Sequence, residues 1–312
     1  MSRLRLVFLG TPEIACPALR AVVVAGHAVP LVITQPDRPA GRGRKLRRGA
    51  LAALADELGL AVAQPKRAQE ALPRLAQIAP DLLLVLAYGQ ILPPPVLAAG
   101  RLGAVNLHFS LLPLLRGAAP INWAILEGHE RTGVSSMFMD QGLDTGDVIF
   151  QEPTPIGPQE TAGSMAQRLA RVAAGLALTT LEALAAGAAP RAPQDPAAAT
   201  WARLLGKADG ELDWSRSAGE LDRRVRGLDP WPGAYTQAGG QTLKLFAPTA
   251  VWPDNQGRPP GAVLEPRDGL LTVACGDGAL GLGQVQAAGR RRVAAAEFLR
   301  GARLGPGGRL GA

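Results

Sequence analysis

The chain has 312 residues, 47% of them apolar and 19% charged. That length spans about two domains of ~100–200 residues, and the composition excludes a mainly disordered chain. Two cysteines, Cys16 and Cys275, exclude a disulfide framework, and with three histidines they exclude the common zinc sites. The formal charge is +7, and most of the excess lies in residues 37–48, where Arg38, Arg42, Arg44, Lys45, Arg47 and Arg48 stand against Asp37, a net +5. Sparse cysteine fits a cytoplasmic setting. No run approaches the ~18 apolar residues that a membrane helix needs, so no membrane partner is expected.

Residues 4–9 read as a short buried strand, and Gly10, Thr11, Pro12 and Glu13 stop the apolar run too early for a signal peptide. A helix over 14–25 ends at Gly26, and a strand follows over 29–34. This strand–helix–strand unit is the element of a parallel sheet. A helix is expected over 51–58. The unbroken apolar run 82–87 has strand length and suits a strand covered on both faces. Then come a strand over 103–109, a helix over 118–126, a strand over 134–140 and a long Ala- and Leu-rich helix over 162–185. Residues 1–189 are thus expected to form an α/β domain, a Rossmann-like open sheet. Residues 190–206 read as a linker by composition. Beyond it, a helix over 218–228 and five short runs near 234–238, 241–247, 261–265, 270–275 and 279–286 predict a smaller, OB-like β-barrel over 207–312.

Gly10-Thr11-Pro12 follows the first strand, where nucleotide folds place phosphate loops. It lacks the glycines and lysine of those loops and reads as a structural turn, which argues against an NAD-dependent dehydrogenase. The segment Asn106-Leu107-His108-Phe109-Ser110-Leu111-Leu112-Pro113 carries more chemistry. On a strand, residues 106 and 108 share a face, so an amide and an imidazole sit together at its C-terminal end, where open α/β sheets bind ligands. The alternative is a strand-end histidine satisfied by backbone. Gly142-Leu143-Asp144-Thr145-Gly146-Asp147 is a compact acidic loop. It can carry one catalytic acid or be a plain surface turn; the spacing of Asp140, Asp144 and Asp147 is not that of a calcium loop. The basic segment 37–48 is either a solvated loop or a projecting wedge for a polyanion. Arg223, Arg224 and Arg226 on one helix, with Arg290–Arg292, form either a phosphate-tracking face or a charged solvent face.

These pieces, with Gln35–Gly43, Ala87-Tyr88-Gly89, Arg116-Gly117-Ala118-Ala119-Pro120-Ile121, Asp213-Trp214 and Pro230-Trp231-Pro232-Gly233-Ala234, occur in order along nearly the whole chain. Together they resemble the methionyl-tRNA formyltransferases. Asn-x-His with Ser-Leu-Leu-Pro and the later Asp loop marks the wider 10-formyltetrahydrofolate-using class, and the Gln35–Gly43 loop and second domain mark the tRNA enzyme. Arg203 departs from the pattern, standing where a lysine is expected.

The resemblance implies formyl transfer from N10 of 10-formyltetrahydrofolate to the α-amino group of methionyl-initiator-tRNA, with no metal. It implies Asn106, His108 and Asp144 as the catalytic set. It places the folate along Ser110, Leu111, Leu112 and Pro113, with Tyr88, Gly89 and Asp140 bordering the pterin. It makes Arg38, Arg42, Arg44 and Lys45 tRNA contacts and the second domain a tRNA-binding module on a monomer. Another folate-dependent formyltransferase or hydrolase, acting on an amino sugar or a ribonucleotide, would share the catalytic set but lack the basic loop and the second domain. A non-catalytic RNA-binding barrel would leave that set unexplained.

Overall fold

Every side chain of 82–86 is buried, and so are all of 6–10. Strands apolar on both faces need cover on both faces, and here helices supply it. This computed structural model describes residues 3–40, 45–301 and 305–311. In chain order it begins β1 (Arg5–Gly10), α1 (Cys16–Val24), β2 (Ala28–Ile33), β3 (Arg38–Ala40), β4 (Lys45–Arg47), α2 (Ala50–Glu57), β5 (Val62–Ala63) and α3 (Leu72–Ile78). Then come β6 (Leu82–Leu86), α4 (Pro94–Leu97), β7 (Ala104–His108), β8 (Arg116–Gly117), α5 (Pro120–Leu126), β9 (Arg131–Phe138), β10 (Val148–Pro155), α6 (Ala162–Ala185) and β11 (Trp201–Ala202).

The main sheet has the order β10-β9-β7-β6-β1-β2-β5. Strands β5, β2, β1, β6 and β7 run parallel, but β9 is antiparallel to β7. The expected parallel sheet is therefore mixed. A parallel neighbour needs a crossover back to the start of the strand. Here the chain re-enters near the end it left, so that Ser135 of β9 lies opposite His108. The order reverses at β1, whose neighbours are β2 and β6. The C-terminal ends of β1, β6 and β7 thus frame the crevice where open α/β sheets bind ligands.

The chain forms two compact units. The first comprises Met1–Pro120, Thr132–Thr154 and Ala166–Ala202; the second comprises Ile121–Arg131, Pro155–Met165 and Arg203–Ala312. This division differs from a linker at 190–206. Residues 190–202 belong to the first unit, where Ala192 exchanges both backbone hydrogen bonds with Val148 and β11 pairs parallel with β8. A Pro- and Ala-rich composition reads as a linker, but its backbone groups still satisfy a neighbouring edge.

The second unit continues with α7 (Ala218–Gly227), β12 (Ala234–Ala238), β13 (Gln241–Trp252), β14 (Leu271–Ala274), β15 (Ala279–Ala287), β16 (Val293–Ala294) and α8 (Ala295–Gly301). Its antiparallel sheet has the order β12-β13-β15-β14, with β16 on β15, and curls around Trp214, Leu221, Val225, Leu245 and Leu280. The run 261–265 makes isolated bridges, Ala262 to Arg309 and Val263 to Val273, in place of a full strand. Helix α7 opens on a capping box: Ser217 Oγ accepts from the Glu220 N–H at 3.3 Å, and the Glu220 carboxylate accepts from the Ser217 N–H at 3.2 Å. Replacing Ser217 with alanine is expected to cost about 1 kcal/mol. Thermal unfolding of the two proteins checks this, and an unchanged Tm contradicts it.

Candidate active site

Alternation along β7 puts Asn106 and His108 on one face, with Leu107 between them in the opposite layer. His108 is buried, and its Nε2 lies 3.0 Å from the Leu115 carbonyl oxygen. A carbonyl can only accept, so Nε2 carries the N–H and the neutral ring keeps its lone pair on Nδ1. Nδ1 faces Asp144 Oδ2 at 3.6 Å, beyond hydrogen-bond reach. A proton on Nδ1 would lie between ring and carboxylate. The backbone-satisfied histidine and the histidine beside an acid are therefore one and the same.

Asp144 is held from the other side. Its Oδ2 accepts the Gly117 N–H at 2.8 Å, and its backbone takes φ +55°, a left-handed conformation that Asp tolerates better than most residues. Asp140 shapes the same loop: its Oδ1 accepts from the Gly142 N–H at 2.9 Å and from the Thr145 hydroxyl at 2.6 Å. Gly146 passes so close to the preceding strand that a Cβ there would collide with the Phe138 carbonyl oxygen.

The turn 110–116 uses most of its polar groups internally. Ser110 Oγ donates to the Leu114 carbonyl at 2.6 Å, and Ser135 Oγ donates to the Ser110 carbonyl at 2.6 Å. The Leu112 N–H donates to Ser135 Oγ, and Gln151 Nε2 donates to the Leu112 carbonyl. Leu111 and Pro113 are half-buried. A side chain that sequence reading missed holds this turn to the acidic loop. Gln194 Oε1 accepts two N–H groups of the buried Arg116, at 3.1 and 2.7 Å, while its Nε2 donates to the carbonyls of Asp144 and Gly146 at 2.9 and 2.7 Å. Its one signal in the sequence is a lone amide in an Ala- and Pro-rich stretch.

Across the crevice, Thr11 Oγ1 donates to the Tyr88 carbonyl at 3.0 Å, and Gln35 Nε2 donates to the carbonyls of Tyr88 and Gly89, each at 3.0 Å. Gly89 has φ +77°, and a Cβ there would meet Gln35 Nε2 at 2.6 Å. The Tyr88 ring lies in the core with Leu9, Leu31 and Val85, and burial, with a smaller effect of Glu70, pushes its phenol up to about 12. Tyr88 therefore borders the crevice through its backbone. A shallow cavity of about 200 Å³ lies beyond the other end of β7, lined by Leu97, Leu102, Ala104, Met139, Asp140 and Arg191 among others. Of the expected ligand-contacting residues it includes Asp140 alone.

The basic segment forms the β3–β4 hairpin, in which Arg38 pairs with Arg47 and Ala40 with Lys45. Arg42 and Arg44 lie outside the described residues, as does the Lys45 side chain. Arg38 donates to Gln35 Oε1 at 2.6 Å. Arg48 is bound at the hairpin's base: it forks onto Asp56 at 2.8 and 2.9 Å and lies 3.7 Å from Asp37. These contacts hold the Asp56 and Asp37 carboxyls below the usual carboxylate range, with Arg48 the largest cause at Asp56 and a hydrogen bond from Gln64 the largest at Asp37.

In the second unit, two of the three arginines of α7 turn to acceptors within the protein, where the sequence left open a phosphate-tracking face or a charged solvent face. Arg226 is buried, donating to Asp222 at 2.6 Å and to the Glu160 carbonyl at 3.1 Å. Arg224 donates to the Asp209 carbonyl at 2.7 Å. A guanidinium taken out of water needs acceptors nearby, and these positions supply them. Arg203 is tied to Asp209, which that pairing and the Gly206 N–H hold down to about 2. Among the described residues no helix is long and apolar enough to cross a membrane, and no group of three or more His, Cys, Asp or Glu could hold a metal ion.

An open sheet with an amide and an imidazole at the C-terminal end of β7 and a carboxylate facing that imidazole, two strands from β1 where the sheet order reverses, suits a group-transfer enzyme. The Formyl transferase family matches residues 4–181, and the Formyl transferase C-terminal domain matches residues 204–303. The chain is 45% identical to the methionyl-tRNA formyltransferase of Geobacter sulfurreducens, covering 100% of this chain and 98% of that one. It is 46% identical to that of Symbiobacterium thermophilum, covering 96% and 92%. The chain belongs to the methionyl-tRNA formyltransferase family. Its fold is also similar to the sugar 3N-formyl transferase WlaRD, at TM-score 0.67 and 16% identity over 93% of this chain and 100% of that one. A structure of Aquifex aeolicus HypX in complex with tetrahydrofolic acid is similar at TM-score 0.67 and 18% identity over 95% of this chain, which spans 47% of HypX.

Proposed function

We propose that this chain transfers the formyl group of 10-formyltetrahydrofolate to the α-amino group of methionyl-initiator-tRNA, in the cytoplasm, for translation initiation. The observation that carries the reading is the convergence of Asn106, His108 and Asp144 at the end of β7, in a chain so similar over its full length to methionyl-tRNA formyltransferases. The site suits the donor. Among the described residues the Asn106 amide and Asp144 Oδ1 have no hydrogen-bond partner, and Ile91 and Leu143 are exposed apolar side chains on the two loops that border the crevice.

When bound, the folate supplies a formyl group on N10 that an amine can attack. A new C–N bond forms to the amine, the C–N10 bond breaks, and one proton passes from the amine to N10. The Asn106 N–H needs no protonation and stabilises the charge that develops on the formyl oxygen. Asp144 Oδ1 takes the amine proton, directly or through water, while Oδ2 stays on the Gly117 N–H. His108 Nδ1 can hold that proton beside Asp144, with its other N–H on Leu115, until N10 departs. Free α-amino groups titrate near ~7.7–8.0 and an adjacent ester lowers this further, so much of the nucleophile is neutral near pH 7. Arg38, Arg42, Arg44 and Lys45 of the basic segment, together with the second unit, engage the tRNA.

Incubation with 10-formyltetrahydrofolate and methionyl-tRNA is expected to give formylmethionyl-tRNA, with free methionine and an amino-sugar nucleotide left unmodified. Formylation of the sugar in place of the charged tRNA would overturn the reading.

A further inference from the structure

We propose that Gln194 is a positioning residue for Asp144, locked in one orientation by the buried charge of Arg116. The inference rests on the reading of Asn106, His108 and Asp144 as the catalytic set. Arg116 is 4% exposed and, among the described residues, forms no ion pair. A buried guanidinium has only donors, so it needs acceptors. Gln194 Oε1 supplies them to its Nε and to one terminal nitrogen.

This contact removes the usual ambiguity of an amide. With the oxygen turned to Arg116, the NH2 group must face the other way, where it meets the Asp144 and Gly146 carbonyls. Gln194 therefore grips the residue that carries the carboxylate and the residue two places on. It does so at a backbone that a non-glycine residue adopts at some cost, φ +55° at Asp144. With that grip gone, the loop can relax toward negative φ and carry Oδ2 away from both Gly117 N and His108 Nδ1. Neighbouring hydrogen bonds brace the same segment: Thr200 Oγ1 accepts the Leu115 N–H at 2.8 Å, the Thr200 carbonyl accepts the Arg116 N–H at 2.9 Å, and the Ala202 carbonyl accepts the Ala118 N–H at 2.8 Å. Residues 194–202 thus serve the site as a clamp.

Gln194→Ala leaves Arg116 without acceptors and so can lose stability. The decisive variant is therefore Gln194→Glu, which keeps two bonds for Arg116 but sets a carboxylate against two carbonyl oxygens. Single-turnover formylation of methionyl-tRNA from saturating 10-formyltetrahydrofolate is compared for wild type, Gln194→Glu, Gln194→Ala, Asp144→Asn and the double variant Gln194→Glu/Asp144→Asn, with KM and Tm measured alongside. Gln194→Glu is expected to lower the rate about 10–100-fold, as misplaced supporting residues do. Its Tm should match wild type, and its KM values should stay within about threefold, since only an interaction made in the transition state is removed. The double variant should be no slower than Asp144→Asn alone, because both changes act through one carboxylate. A wild-type rate in Gln194→Glu means that Gln194 merely anchors Arg116 and overturns the proposal. So does a double variant whose losses multiply. A wild-type rate in Asp144→Asn overturns instead the reading of the site, and the inference with it.

Discussion

Single replacement of Asn106, His108 or Asp144 with alanine is expected to slow the formyl-transfer step by at least ~10²-fold, the usual size of losing an oxyanion donor or an acid–base group. The geometry assigns each loss its own cause. Asn106→Ala removes an amide that, among the described residues, has no protein partner. His108→Ala removes a ring fixed between the Leu115 carbonyl and the Asp144 carboxylate. Asp144→Ala removes the acceptor of the Gly117 N–H as well as the proton acceptor. Folate binding, followed by fluorescence or equilibrium dialysis, should survive better than turnover in all three. Single-turnover rates near wild type for any two of them would sink the assignment.

Neutralising Arg38, Arg42, Arg44 and Lys45 together should weaken tRNA engagement and flatten its salt dependence. Each phosphate left without its cation takes about 0.7–0.9 from the slope of log K against log salt, so neutralising all four residues takes roughly 3. KM for 10-formyltetrahydrofolate should not move. Arg48 provides the control inside the same charge run. It is held by Asp56 and Asp37, so Arg48→Ala should leave the salt slope unchanged and at most loosen the base of the hairpin. kcat/KM for tRNA across a salt series separates these outcomes. Superimposable lines for wild type and the neutralised variant would end the RNA-binding reading of this segment.

Much of the scaffold was legible in the chain because its signals are local. The apolar stretch 4–9 marked a buried strand, the unbroken apolar run 82–87 marked one covered on both faces, and the Ala- and Leu-rich stretch marked α6 at its observed bounds. Strand alternation alone put Asn106 and His108 on one face, and their motif together with the Asp144 loop carried the family. Composition was a poorer guide wherever an element depends on a distant partner. Residues 190–202 look like a linker and are instead bound into the first unit, and β10, mostly exposed, has no apolar pattern to announce it.

The working geometry of the site was decided by tertiary structure. Asp144 reaches Gly117 across 27 residues of sequence, Gln194 reaches Asp144 across 50, and Arg116 reaches Gln194 across 78. The reversal of direction at β9 sets Ser135 against His108 and closes the turn 110–113 on itself, so polar groups that the sequence offered to a ligand are used within the protein. The same holds for charge. The segment 37–48 holds six cations in the sequence, and only the fold brings Asp56 to Arg48 and, in the second unit, buries Arg226 on Asp222. Side-chain alternation is a property of one strand and can be read from it. Which group meets which depends on how strands and loops distant in sequence are registered against one another, and that register is fixed when their apolar faces are buried together.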